Sequence, residues 1–546
     1  VYDRGIRVVR LTGQWREKCS QCAVNLIDIN TEPSIGVYDF SDYFSRLDYV
    51  VFTKGMKAVV SFNLGGRLDT DPTSPGAQAV LPTFLGPDDV MMYRPSPGVD
   101  AMWTNGALIK APRIDRPSTR RRMLEFAGEV VREFQARYGS EMLYYSFSIG
   151  SAGENEYPFA DYPYFCDTSP DAAAAFRIWL ASRYGTPQAV AAAWGHAPPF
   201  ATFGEIQILD GQASPPVGSA PQPYLDFMAF REYSLARFFA DLRDTVHANS
   251  GSVLGQFGSV WDAMSATRGT YGFGRMINGY DLVLIDDAPT YDHFWSMDYA
   301  RSNAGGVPFG NEADAPCNMG CTVPDINQCC YPWPVNPLWS RPLGAAQMDA
   351  YFSQSYGRGA TWVDTANWDN WYDQDFAVYS AHVANAVTLA SQMVIAPVPA
   401  DTQLVSLRDL YVHHHDQSYL DGLITTHTLL GGQSSAINVR VLYDLDPGVL
   451  DVPRQHENAA GVSLSVGWPN PTRGRSTIHF TLARSGRATL HLLDPGGREV
   501  RTLIDGESAA GEHTVNLDAR GLASGVYLVR LDTEQGTVAR KMALVH

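Results

Sequence analysis

Ser118–Ile149 reads STRRRMLEFAGEVVREFQARYGSEMLYYSFSI, and its two halves follow different periods. From Ser118 to Tyr138, apolar residues recur every three or four positions among Arg and Glu behind a Ser/Thr start, which predicts a capped amphipathic helix. Met142–Ile149 is almost wholly apolar or aromatic, which predicts a short buried strand. A surface helix leading into a buried strand is half of a βαβ unit, and the alternation runs outward both ways. Upstream lie a strand at Gly5–Thr12, a helix at Asp42–Lys54, a strand at Gly55–Asn63 and a Pro-rich loop to about Pro117. Downstream lie strands at Gly251–Phe257, Tyr280–Ile285, Gly306–Gly310 and Ala360–Asp364, with helices at about 171–183, 222–248, 345–356 and 376–392. This pattern predicts an α/β fold, a (β/α)8 TIM barrel over residues 1–395. Only seven strands are legible, and an open barrel would leave unpaired edges. Either the first strand lies upstream of Val1 or a neighbouring segment takes its place. The start at Val1, with neither Met nor a signal peptide, reads as a processed or incomplete N-terminus.

The end of the chain is different in kind. From about residue 460, short runs alternate with period two, separated by turns such as Pro495-Gly496-Gly497. They predict a C-terminal Ig-like β-sandwich over 460–546. Its expected core is Ile478, Phe480, Leu490, Leu492, Val500, Leu503, Val515, Leu517, Val526, Leu528 and Leu531. A β-rich connector, 396–459, joins the two parts, and its His413-His414-His415 reads as solvated strand or loop rather than a metal tract.

Composition narrows function. The 546 residues carry 41 basic and 58 acidic side chains, a net charge of −17, which argues against nucleic acid or an anionic membrane surface as partner. No apolar run approaches the ~20 residues that span a bilayer. Aromatics reach 12%, and several Trp lie in loop-like sequence (Trp261, Trp295, Trp333, Trp339, Trp368, Trp371), as sugar platforms do; half of them are assigned to ordinary packing. The seven cysteines include Cys19, Cys22, Cys317, Cys321, Cys329 and Cys330, which lack His at zinc-ligand spacing and fit disulfides of an exported protein better. The odd one, Cys166, would remain a thiol. No cofactor or metal is expected.

In a barrel of this kind chemistry sits where strands end. One strand runs into Glu154-Asn155-Glu156-Tyr157 and another into Gly310-Asn311-Glu312-Ala313-Asp314. Two carboxyl groups converging from opposite walls suit glycoside hydrolysis, one protonating the departing oxygen while the other attacks or activates water. Strand-end Glu residues also form structural ion pairs, so composition alone leaves both readings open, and Glu154 competes with Glu156. Asp286 and Asp287 are candidates for sugar hydroxyls or loop caps, and Trp362 for either face of its strand.

Thr31-Glu-Pro-Ser-Ile-Gly-Val-Tyr-Asp-Phe-Ser41, Gly55-Met-Lys-Ala-Val-Val60, Asn155-Glu156-Tyr157, Phe176-Arg-Ile-Trp-Leu180, Arg183-Tyr-Gly-Thr186 and Ala193-Trp-Gly195 occur in that order. This series resembles glycoside hydrolase family 42 beta-galactosidases. The resemblance implies Glu156 as general acid/base, Asn155 as holder of the sugar 2-hydroxyl, Glu312 as nucleophile, and Arg10 as the arginine that keeps the nucleophile ionised. The chain departs from the family in lacking its first strand, its zinc-binding cysteine cluster and the Trp after Ala-Trp-Gly, where Pro198-Pro199-Phe200 stands. Trp468-Pro-Asn-Pro-Thr472, Gly497-Arg-Glu-Val500, Gly521-Leu-Ala-Ser-Gly-Val-Tyr527 and Arg540-Lys-Met-Ala-Leu-Val545 resemble a type IX secretion C-terminal sorting domain. That implies export to the cell surface and contact with the type IX machinery.

The sequence therefore reads as a secreted retaining β-glycosidase acting on an oligo- or polysaccharide. Its expected substrate-binding set is Arg10, Asn155, Tyr291, Asp364, Trp368 and Trp371, with Tyr291 orienting the nucleophile. An endo-acting polysaccharidase, or an inactive surface carbohydrate-binding or structural protein, are the rival readings.

Overall fold

The computed structural model describes residues 7–19, 27–65, 81–96, 99–102, 111–150, 155–157, 165–208, 221–258, 268–286, 293–313, 354–365, 402–414, 416–432, 434–445, 463–466, 475–482, 484–493, 499–522, 525–533 and 536–544. They fall into two compact units, Val1–Leu445 and Asp446–His546.

The first unit opens with β1 (Val8–Gln14) and a hairpin of β2 (Arg16–Cys19) and β3 (Ile27–Asn30). Then come α1 (Ser41–Asp48) and β4 (Lys57–Asn63), a second hairpin of β5 (Met92–Ser96) and β6 (Val99–Met102), and α2 (Pro117–Tyr138) before β7 (Met142–Ser148). α3 (Pro170–Tyr184), α4 (Pro187–Trp194) and α5 (Gln222–Ala248) precede β8 (Leu254–Phe257). β9 (Leu282–Asp286), the helix His293–Asn303, β10 (Phe309–Ala313) and β11 (Trp362–Thr365) follow. β1-β4-β7 and β8-β9-β10-β11 are parallel sheets, joined by a parallel bridge between Tyr145 and Val253. The result is a seven-stranded parallel arc in chain order. Among the described residues nothing pairs β11 with β1.

Strand alternation sorts the side chains. On the outer face, Phe62 meets Tyr43 of α1 and Phe126 and Phe134 of α2, at ring-centroid distances of 5.0, 5.7 and 6.1 Å. On the inner face, Val8, Val59, Tyr144, Leu254, Leu282, Leu284 and Trp362 form one apolar layer. Trp362, whose direction the sequence left open, points inward: its ring meets Tyr144 edge-on at 5.8 Å, although β11 and β7 are not neighbours. Gly310 lies in the same layer because a Cβ there would meet Trp362 and Leu284. One step of two further along the strands, the inner face turns polar.

Two expectations shift. β10 begins at Phe309 rather than Gly306, because Gly305 and Gly306 both adopt positive φ (63° and 90°) and make a turn. The stretch read as a β-rich connector contains β12 (Thr402–Ser406) and a parallel β13 (Asn438–Leu442), but also helices Leu407–His413 and Gln417–Leu429. Ser406 and Asp416 cap those helices by accepting from Asp409 N and from Ser418 N and Tyr419 N. Residues 402–445 belong to the first unit. Buried Asp298 ties them there, accepting from Arg358 at 2.6 Å and from Ile437 N at 3.1 Å, with His427 at 2.9 Å. His413 therefore ends a helix and His414 is its C-cap turn residue, so neither is strand. His414 is fully buried against the Tyr411 carbonyl at 2.7 Å, and burial pushes its pKa down to about 4. His415 lies outside the described residues. Trp295 sits in a helix, buried, donating to Gln403 at 3.2 Å, so it packs the core.

The second unit has two antiparallel sheets: β14 (Ser463–Val466), β15 (Arg475–Leu482) and β18 (Gly511–Asp518) in one, and β17 (Glu499–Ser508), β16 (Gly486–Leu493), β19 (Gly525–Thr533) and β20 (Gly536–Leu544) in the other. Leu464, Ile478, Phe480 and Leu517 from the first meet Leu490, Leu492, Val529 and Leu531 from the second in one core, with Leu503 and Val515 packed against it. On β19 the buried set is Tyr527, Val529 and Leu531, one register away from the expected Val526 and Leu528, whose side chains lie outside the description. An apolar run carries no period to choose the face. Val500 is exposed, next to a register shift between Leu492 and Leu493.

Candidate active site

The polar inner layer is built by residues two positions beyond the apolar one: Arg10 on β1, Ser61 on β4, Ser146 on β7, Gln256 on β8 and Glu312 on β10. Glu312 is 8% exposed. Arg10 Nη1 donates to Glu312 Oε2 at 2.9 Å, and Gln256 Nε2 donates to the same oxygen. Arg10 Nη2 in turn donates to Gln256 Oε1 and, at 3.3 Å, to Ser61 Oγ. Three strands that are not neighbours thus converge on one carboxylate. Asp286 of β9 and Asp364 of β11 hold the backbone positions in register with Glu312.

Glu156 is fully buried, one residue beyond an asparagine that behaves as an extra rung of the sheet. Asn155 N donates to the Gln256 carbonyl at 2.5 Å, Asn155 Oδ1 accepts from Gln256 N at 2.8 Å, and Nδ2 donates to the Phe147 carbonyl at 2.9 Å. The Glu156 segment is therefore fastened to the end of β8, at the residue whose side chain holds Glu312. Arg268 Nε stands 3.3 Å from Glu156 Oε1. Gly258 makes room for this pair, since a Cβ there would collide with the Arg268 guanidinium and lie 2.8 Å from Glu156 Oε2. Tyr157 N donates to the Arg268 carbonyl at 2.9 Å, and the Arg231 guanidinium covers the Tyr157 ring at 4.4 Å.

The structure thus brings Arg10, Asn155, Glu156 and Glu312 together through Gln256. Gln256, Ser61, Arg268 and Gly258 were not singled out from sequence. For Gln256 a signal existed, an amide two residues after the buried Leu254 at a strand end; for Arg268, at the end of a helix, none did. The side chain of Asp364 and all of Tyr291, Trp368, Trp371, Glu154 and Asp287 lie outside the described residues. So do Cys22, Cys317, Cys321, Cys329 and Cys330, and Cys19 is described only as backbone in β2. Cys166 is a buried free thiol whose pKa burial pushes up. Among the described residues no group of three or more His, Cys, Asp or Glu could hold a metal, and no helix is long and apolar enough to cross a membrane.

Several motif residues do structural rather than chemical tasks. Glu32 accepts from Trp15 Nε1 and from Gly36 N, each at 2.9 Å, and burial raises its pKa. Tyr184 OH and Trp194 Nε1 both donate to Asp226 Oδ2 at 2.7 Å, with Arg183 at 3.3 Å from the other oxygen. They pin α3 and α4 to α5.

Residues 111–322 match the family profile described as Beta-galactosidase, and residues 467–545 match the secretion system C-terminal sorting domain. A curated beta-galactosidase of Arthrobacter sp is 30% identical over 141 residues, which span 25% of this chain and 20% of that relative. Solved beta-galactosidases from the psychrophilic Marinomonas ef1 (TM-score 0.55, 14% identity) and the haloarchaeon Halorubrum lacusprofundi (TM-score 0.56, 18% identity) each cover 98% of this chain. They are covered over 82% and 83% of their own lengths, a likeness of fold that makes the parallel arc TIM-barrel-like. The sorting domain marks the chain for secretion or the cell surface. Residues 111–322 are thus similar to the beta-galactosidase family, and residues 467–545 to the secretion system C-terminal sorting domain.

Proposed function

We propose that the first unit is a retaining glycoside hydrolase that cleaves β-linked, beta-galactoside-like sugars, with Glu312 as nucleophile and Glu156 as acid/base. The observation that carries this reading is that Gln256 holds the Glu312 carboxylate with its side chain and, with its backbone, Asn155, the residue before Glu156. Arg10 and Gln256 both donate to Glu312, and donors and positive charge favour the ionised form that attack requires. Glu312 attacks the anomeric carbon as the glycosidic bond breaks, while Glu156 gives its proton to the departing oxygen. The resulting ester is then hydrolysed by water, whose proton Glu156 takes back. Retention requires the carboxyl groups to stand ~5–5.5 Å apart with sugar bound.

Asn155 has a second amide hydrogen beyond its Phe147 bond, suited to the sugar 2-hydroxyl. Tyr291, Asp364, Trp368 and Trp371 complete the proposed sugar contacts, and Cys19, Cys22, Cys317, Cys321, Cys329 and Cys330 the proposed disulfides. The tail reads as an immunoglobulin-like module handed to the type IX machinery. Among the described residues its seven strands divide three and four around one core, as sandwiches of that class do.

A panel of aryl β-glycosides and polysaccharides, run with native enzyme, Glu156→Gln and Glu312→Gln, tests the proposal. Native enzyme should hydrolyse a β-galactoside with retained configuration, and Glu312→Gln should lose about 10³-fold or more. Cleavage within a polysaccharide would move the reading to the endo-acting alternative, and no turnover of any glycoside would leave a binding protein.

A further inference from the structure

We propose that Gln256 is a positioning residue that orients the Glu312 carboxylate and holds the acid/base segment at a fixed place beside it. The inference rests on the assignment of Glu312 and Glu156 above.

Gln256 is 2% exposed. Its amide stands between a group that only donates and a group that only accepts, the Arg10 guanidinium and the Glu312 carboxylate. The amide orientation is thereby dictated: Oε1 faces Arg10 and Nε2 faces Glu312. No other side chain of this length satisfies both neighbours. Glu would accept from Arg10 but set a second anion against Glu312, and a leucine would serve neither. Asn offers the same groups one methylene short.

The reach matters too, because β8 and β10 are separated by β9 in the sheet, so the contact crosses the barrel interior. At the same residue, backbone N and O pair with Asn155, immediately before Glu156. Any displacement of β8 moves both carboxyl groups. The charged residues on the elements that frame Glu312 are Arg10 of β1, paired to it, Asp286 and Asp364 at the backbone positions in register on β9 and β11, and Glu156, paired to Arg268.

The test is the pH profile of kcat/KM for native enzyme, Gln256→Leu and Gln256→Glu on an aryl β-glycoside, with Glu312→Gln alongside. We expect kcat to fall about 10²-fold in both Gln256 variants with KM little changed, as loss of alignment predicts. The acid limb, which reports ionisation of the nucleophile, should move to higher pH: modestly in Gln256→Leu, which loses a donor, and by about one unit or more in Gln256→Glu, which adds a like charge. Lower activity with the acid limb at its native position in both variants would show a mere structural strut and overturn the inference. If Gln256→Glu does not fold, the Leu variant decides by the same criterion. A native enzyme that depends on Glu312 but whose limb ignores Gln256 overturns this inference alone. Full activity in Glu312→Gln overturns the assignment beneath it.

Discussion

At the scale of single residues, chemistry depends on pairing each buried charge. Arg10 is ion-paired to Glu312, with 12% and 11% side-chain exposure. Arg10→Met should lower kcat/KM about 10²–10³-fold, as loss of a donor to a reacting group typically does, and Arg10→Lys should recover part of it; steady-state kinetics read both. Arg10, Asn155, Glu156 and Glu312, which the structure brings together, could be singled out in the sequence because each stands at a strand end or within an ordered motif. Gln256 and Arg268 were not singled out, because their importance lies in contacts with side chains more than 50 or 100 positions away; the amide at the end of β8 was the one local signal. Glu232 makes a separate, titratable case. It is buried on α5, accepts from Tyr411 OH at 2.5 Å and from Gly272 N at 2.9 Å, and its burial raises its pKa to about 7. A raised folded-state pKa means that this carboxyl's stability contribution is fully present below its unfolded value of 4.5 and is lost as pH rises through about 7. Glu232→Gln lacks that loss. Its stability relative to native should increase between pH 5 and pH 8, by about 3 kcal/mol at most, in denaturant titrations at the two pH values.

At the scale of elements, the helix pair α3–α4 shows how a family signature encodes packing. Ser169 and Thr186 cap the two helices through Ala172 N and Ala189 N, Pro170 and Pro187 start them, and Gly185 and Gly195 end them at positive φ. Arg183, Tyr184 and Trp194 then converge on Asp226 of α5, which is fully buried. The caps could be read from the sequence; the buried carboxylate they serve could not, since it lies beyond a long loop. Asp226→Ala leaves Arg183, Tyr184, Trp194 and Gln222 without their acceptor and should destabilise the first unit by about 3–5 kcal/mol. Thermal unfolding should show a lowered midpoint while the specific activity of the folded fraction stays native, since no residue of this hub touches the proposed site. Strand positions were legible to within a few residues where glycine or a cap marks the boundary. On β19, where every residue from Val526 to Val529 is apolar or aromatic, the inward face was not.

At the scale of the whole molecule, the alternation of buried strands and helices was enough to read the parallel α/β unit, because period and order are local properties of the chain. The division of labour was legible for the same reason, since period-two runs replace the alternation after residue 460. The allocation of residues 402–445 to the first unit was not, because it depends on Asp298, Arg358 and His427 meeting in the interior. Each unit has its own core. A chain ending at Leu445 should therefore keep its hydrolytic activity and lose its delivery to the cell surface, measured by assaying purified protein and by fractionating secreting cells. The central claim, that Glu312 attacks sugar directly, is tested most directly by treating the enzyme with a 2-deoxy-2-fluoro β-glycoside carrying a good leaving group and mapping the adduct by peptide mass spectrometry. The account predicts a single glycosyl ester on Glu312. An ester on any other carboxylate, or hydrolysis with inverted configuration and no ester, would contradict it.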